Sequence, residues 1–142
     1  MASLPEVSAA VAQVIDDATL PQPVTVERSW LPIHDLAELA DTVVSVMPAG
    51  QTTEPVGRSR RKRQYRVEVG VQRKLATDEA SEIDDLVALS DAVAALFERQ
   101  RLPGLDTVVW AKTEHQPVVA LEHLNEMRQF TGVILLTFTE WD

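Results

Sequence analysis

Tyr65, Val67, Val69 and Val71 alternate with Arg66, Glu68, Gly70 and Gln72. Side chains along a strand point to opposite faces in turn, so this run predicts a strand with one buried and one polar face. Such a strand needs neighbours to pair with and apolar side chains to lie against, and the rest of the chain must supply both. Residues 130–141 offer a second long strand, with Phe130, Ile134, Leu136 and Phe138 on one face and Thr131, Val133, Leu135, Thr137 and Thr139 on the other. Residues 23–31, 42–47 and 105–112 read as further strands. In 23–31, Val24, Val26, Arg28 and Trp30 share a face, and Pro32 stops the run; Pro48 and Gly50 close the second.

The covering layer is helical. Leu4, Val7, Val11, Val14 and Ile15 recur at three- and four-residue spacings, which predicts a helix ending near Ala18, before Pro21 and Pro23. Ser3 is placed to cap it, Pro5 suits its first turn, and Glu6 adds a favourable early charge. A second helix is expected over 78–100, with the stripe Ile83, Leu86, Val87, Ser90, Val93, Leu96 and Phe97. Thr77 or Asp78 would cap it, Arg99 and Arg101 would suit the negative end of its dipole, and Pro103 and Gly104 would end it. Residues 34–39 read as one helical turn or a tight connection. Residues 115–129 fit either an extended segment or a short helix over 121–127. The expected fold is α+β: a mixed or antiparallel sheet of about five strands flanked by two helices, with a long exposed loop.

That loop is residues 49–63, where apolar periodicity fails. Loops of this length within small domains are uncommon and are usually functional or disordered. It carries Arg58, Arg60, Arg61, Lys62 and Arg63, five positive charges within six positions. The whole chain has a net charge of −9, which becomes −14 once those five are set aside. The expectation is an acidic body with one basic segment. Four readings of the segment stand: a solvated loop, a contact to nucleic-acid backbone, a localisation signal, or a loop that pairs with acidic surface on a partner or a neighbouring copy. No aromatic side chain interleaves the charges, so base stacking is unsupported.

At 142 residues the chain (1–142) is expected to form a single domain. With no cysteine, disulfides and thiolate metal sites are excluded. No secretory leader is expected at the N-terminus. No apolar run approaches the roughly 20 residues of a membrane span, and the run at 132–136 is strand-sized.

Motifs for chemistry are missing. The sequence contains no GxxxxGK[ST], GxGxxG or GxSxG. His115 and His123 with Glu114 and Glu122 match neither an i, i+4 helical pair nor a common zinc spacing, so no metal site is expected. Asp84 and Asp85, adjacent on a helix, diverge by about 100° and cannot act as a carboxylate pair. No enzyme, no catalytic residue and no cofactor is predicted. Trp141, beyond the apolar stripe of the last strand, is a candidate interface anchor.

Several segments together carry a resemblance. Val24-Thr-Val-Glu-Arg-Ser-Trp-Leu-Pro32 with Asp35-Leu36, the valine-rich run at 43–47, the Tyr65–Val71 alternation, the long acidic helix and Phe130-Thr-Gly-Val-Ile-Leu-Leu-Thr-Phe138 follow one another in a familiar order. The arrangement resembles a tail-terminator (tail-completion) protein of long-tailed bacteriophages over nearly the whole length. The resemblance implies a virion structural protein, made in the host cytoplasm and sited at the tail–neck region. It implies a hexameric ring of copies that caps the tail tube, stops its polymerisation and meets the head connector or head-closure protein. A head-closure or other neck protein, and a nucleic-acid-binding module using the basic loop, are the alternatives. No membrane partner and no sequence-specific nucleic acid is expected, although genome DNA would pass through the ring.

Overall fold

A computed structural model describes residues 2–30, 42–76, 80–116 and 129–142. Its elements are α1 (Leu4–Asp17), β1 (Thr25–Arg28), β2 (Val43–Val56), β3 (Arg60–Lys74), α2 (Ala80–Ala95), β4 (Arg101–Leu102), β5 (Leu105–His115) and β6 (Gln129–Trp141). The six strands form one sheet in the order β1-β2-β3-β6-β5-β4. The β1–β2 pair is parallel and the rest are antiparallel. This is the mixed sheet with two helices that the sequence predicts, with the two-residue β4 as the added strand.

The long strands form where alternation is strongest. Tyr65 pairs with Phe138, Val67 with Leu136 and Val69 with Ile134, so the two apolar stripes share one face at the centre of the sheet. Val44 and Val46 of β2 extend that face by pairing with Val71 and Val69. Val7, Val11 and Ile15 of α1 and Leu86, Leu89, Val93 and Phe97 join the same buried cluster. Phe97 meets Phe138 edge to face, with ring centroids 6.1 Å apart, a geometry that suits the ring quadrupoles. On the opposite face Ser45, Gln72, Thr131, Thr137 and Thr139 are also buried.

The first helix starts as its sequence dictates. The Ser3 hydroxyl accepts from the Glu6 N–H at 3.3 Å, and the Glu6 carboxylate accepts from the Ser3 N–H at 3.2 Å. This reciprocal box satisfies two donors that a helix start otherwise leaves unpaired. The second helix is shorter than expected and ends at Ala95. Its end tightens through 3.3 Å bonds from Leu96 N–H to the Val93 carbonyl and from Phe97 N–H to the Ala94 carbonyl, and Arg99 then takes a positive φ of 58°. Consequently Arg99 and Arg101 lie beyond the helix and do not complement its dipole. Pro103 and Gly104 (φ 73°) instead form the turn from β4 to β5. Thr77 and Asp78, residues 31–41 and 117–128 lie outside the described residues, and with them the connection expected at 34–39; of the segment expected at 115–129, His115 ends β5 and Gln129 opens β6.

The principal correction concerns residues 49–63, which are strand. β2 runs on to Val56, and β3 begins at Arg60, so 57–59 alone make the turn, with Gly57 at φ 74°. The pairing passes Pro48 and Gly50 by a register shift. An irregularity of this kind absorbs a proline, which has no N–H for the ladder, at an edge position. Residues 51–61 are all exposed. With solvent on both faces there is no buried side for alternation to report, so the strand is invisible to periodicity. The segment is exposed, as expected, but it is a paired arm.

Phe138→Ala should cost about 3–5 kcal/mol, and Ser3→Ala about 1 kcal/mol; urea unfolding followed by far-ultraviolet circular dichroism checks both, and equal costs would contradict this division between core and cap.

Candidate interaction surface

The last strand reaches the arm and fixes its base. Lys62 pairs with Trp141, and Arg61 and Asp142 exchange backbone hydrogen bonds of 2.9 and 2.8 Å. At Lys62 and Arg61, β2, β3 and β6 therefore run side by side, and β2 and β3 continue together to the turn.

The basic run, contiguous in sequence, is split by the pleat. Arg60 and Lys62 share a face with their cross-strand partners Val56 and Glu54 and with Trp141. Arg61 and Arg63 point to the opposite face, and Arg58 sits in the turn. Their surroundings differ accordingly. The Arg61 guanidinium donates to the Asp142 carboxylate. That hydrogen bond, against weak desolvation, holds the Asp142 carboxyl below its ordinary value. The Lys62 ammonium lies 5.2 Å from the centre of the Trp141 ring and 4.0 Å from Glu54. Arg63 is half-buried opposite Glu140. Among the described residues Arg58 and Arg60 have no acidic partner. Trp141, the candidate anchor, is 45% exposed and Val56 38%. They are two of the three large apolar side chains exposed among the described residues, the third being Trp30.

Behind Arg63 lies a polar cluster that sequence reasoning missed. Glu140 is buried, yet its carboxylate accepts from the Thr107 hydroxyl at 2.6 Å, the Tyr65 hydroxyl at 2.8 Å and the Ala2 N–H at 3.2 Å. The Tyr65 hydroxyl also lies 2.9 Å from the Ala2 carbonyl. Burial, reinforced by the neighbouring Glu140 charge, pushes the Tyr65 hydroxyl up to about 12, and Arg63 opposes this only in part. Burial alone would raise the Glu140 carboxyl, but its hydrogen bonds from Thr107, Tyr65 and Ala2 outweigh that and hold it below the ordinary value. The cluster ties the segment before α1 to β3, β5 and β6. Two signals pointed to it: Glu140 falls in phase with Leu136 and Phe138, and a tyrosine in an apolar stripe needs a partner for its hydroxyl.

An open cleft of ≈ 320 Å³ between the end of α1 and β1 is lined by Ile15, Leu20, Val24 and Val26, with Asp16 as its one ionisable group. Asp84 and Asp85 are both exposed on α2. His115 ends β5, while His34, His123 and Glu122 lie outside the described residues. No group of three potential metal ligands occurs among the described residues. No helix among them is long and apolar enough to cross a membrane.

No protein-family model matches the chain, and no curated protein matches it in sequence. Its fold does have counterparts among solved structures. One is a chain from the virion of a native gene transfer agent (GTA) particle, with a TM-score of 0.55 and 14% identity, over 94% of this chain and 92% of that one. At that identity the likeness is one of fold.

The Glu140 cluster sets a pH dependence. Because the folded carboxyl titrates below its unfolded value, its contribution to stability is full above the unfolded carboxylate range, near pH ~4.3, and is lost as pH falls through the folded value. Glu140→Gln should cost about 1–3 kcal/mol at neutral pH and flatten the acid limb of a stability–pH profile measured by urea unfolding; an unchanged acid limb would show that other carboxylates govern it.

Proposed function

We propose that this chain is a structural protein of a phage-like particle, and specifically a tail terminator that caps the tail tube as a ring of copies. The observation that carries the reading is the end-to-end fold likeness to a chain of the gene transfer agent virion, covering more than nine-tenths of both chains. Its support in sequence is the ordered resemblance to tail terminators, from Val24–Pro32 through to Phe130–Phe138. In this reading the ring, a hexamer as in that family, halts polymerisation by occupying the tube's growing end and offers its other rim to the head connector. A ring requires a heterologous contact repeated with closing rotation. A projecting arm on one side of a subunit is a fitting source of such a contact. The acidic body, −14 outside the basic run, would keep DNA from adhering as it passes through the lumen. A structure of the assembly with the arginines around the lumen and the acids outside would refute that last point.

The nearest alternative in the same class is a head-closure or other neck protein, and the partner separates the two. Purified protein added to polymerising tail-tube subunits should give tubes of limited length with a cap at one end in electron micrographs. Tubes that grow as long as in its absence would reject tail termination, and binding to head connectors alone would favour the neck alternative.

A further inference from the structure

We infer that the distal face of the β2–β3 arm, made of Val56, Arg60, Lys62 and Trp141 with Arg58 at the turn, is one half of a head-to-tail contact, and that it docks on the acidic body of a second copy of this chain. The inference rests on the self-assembly in the proposed function but not on tail termination. Three features of the arm lead to it.

First, residues 51–61 are an ordered hairpin that is exposed throughout. A two-stranded hairpin is at best marginally stable on its own in water, and this one contributes no buried side chain to its own core. Its usefulness lies in what it touches outside the subunit. Second, its two faces differ. On one, Arg61 is closed on Asp142 and Arg63 packs opposite Glu140. On the other, Val56 and Trp141 stand exposed beside Arg60 and Lys62. An exposed aromatic and an aliphatic side chain flanked by cations form the kind of patch that anchors an interface, tryptophan and arginine being enriched at its energetic centre. Third, the charges name the occupant. The arm's cations exceed the acids within their reach, leaving Arg58 and Arg60 unpaired among the described residues, while the remainder of the chain carries −14. A second copy supplies the complementary field, which speeds association and fixes orientation. Beyond Val46, where β2 pairs only with β3 among the described residues, its other side is a poorer route to assembly, because Pro48 and Pro55 interrupt it and prolines protect edges against strand addition.

The contact is heterologous: the arm is basic, so two arms repel, and each copy offers one arm and one body. This leads to a decisive mixing experiment. Full-length protein, Arg58→Glu/Arg60→Glu and Val56→Ser/Trp141→Ala are compared by light scattering and native mass spectrometry at ~50 mM salt, where the Debye length is longer than at physiological strength, and again at high salt. Circular dichroism confirms that each variant is folded. The wild type should assemble, more weakly at high salt. Each double variant should raise the apparent dissociation constant at least about 30-fold. An excess of Arg58→Glu/Arg60→Glu copies mixed with wild type should break closed assemblies into short open ones, because the variant's body still accepts a wild-type arm. Assembly of both variants at wild-type strength overturns the arm contact and leaves the ring reading standing. So does mixing that leaves the wild-type assemblies intact. A wild type that stays monomeric at every concentration and salt overturns both. A duplex oligonucleotide bound at low salt through Arg58 and Arg60, without self-association, overturns the second copy in favour of nucleic acid.

Discussion

The pairing of β3 with β6 governs the molecule. It runs from Lys62↔Trp141 to Lys74↔Gln129 with no register shift. Because side chains alternate with a period of two, a slip of one residue would set the apolar stripe of one strand against the polar stripe of the other. The same slip would take the Glu140 carboxylate away from Tyr65 and turn Trp141 toward the core. The gain from burying Val67, Val69, Leu136 and Phe138 on one side therefore fixes more than the core. It fixes which cations reach the outer face of the arm, and it brings the end of the last strand to the arm's base.

The parts of the fold legible in sequence are those where burial imposes a pattern. β3 and β6 each turn an apolar stripe to the core, and that alternation identified both strands and both faces, although Thr131, Thr137 and Thr139 on the polar stripe of β6 are buried as well. α1 carries its own start signal in Ser3, Pro5 and Glu6, and its limits followed. Elsewhere the pattern is absent or competes with local chemistry. Residues 49–56 are solvated on both sides, so pairing alone makes them strand, and Pro48 and Gly50 read as an end although a register shift carries the strand past them. The stripe of α2 continues to Phe97, but Phe97 reaches the core from a tightened turn rather than from the helix. Its burial against Phe138 preserves the apolar signal after the helix has ended. Leu102, one of only two residues in β4, is too short a signal for any periodic reading.

The candidate site divides in the same way. Composition alone marked Arg58 to Arg63 as unusual, and Trp141 stood out as an aromatic residue past the stripe. Their relation to each other needed the register, since Lys62 and Trp141 are neighbours only across strands. The Glu140 cluster was less visible still. A buried carboxylate is costly unless donors surround it, and its donors come from Ala2, Tyr65 and Thr107, which lie far apart in sequence. Each looks ordinary alone. The phase of Glu140 with Leu136 and Phe138, together with a tyrosine in an apolar stripe, was the hint that polar groups lay in the core.

The two polar constructions at this end of the sheet have complementary roles. The Glu140 cluster is closed: its hydrogen bonds are satisfied internally, and it anchors the first residues of the chain to three strands. That anchoring stiffens the ground on which the arm stands, since β6 passes from Glu140 to Trp141 and then to the Asp142 contact with Arg61. The arm is open: one face is occupied by those internal partners, and the other presents Trp141, Val56 and Arg60, which has no acidic partner among the described residues, to solvent. A rigid base limits the orientations an arm can take, and so lowers the entropy lost when it docks. An arm held by a buried charge cluster on one side, with Arg60 and Lys62 on the other, would be pre-organised for the proposed contact in one direction, which is the asymmetry that a head-to-tail assembly requires.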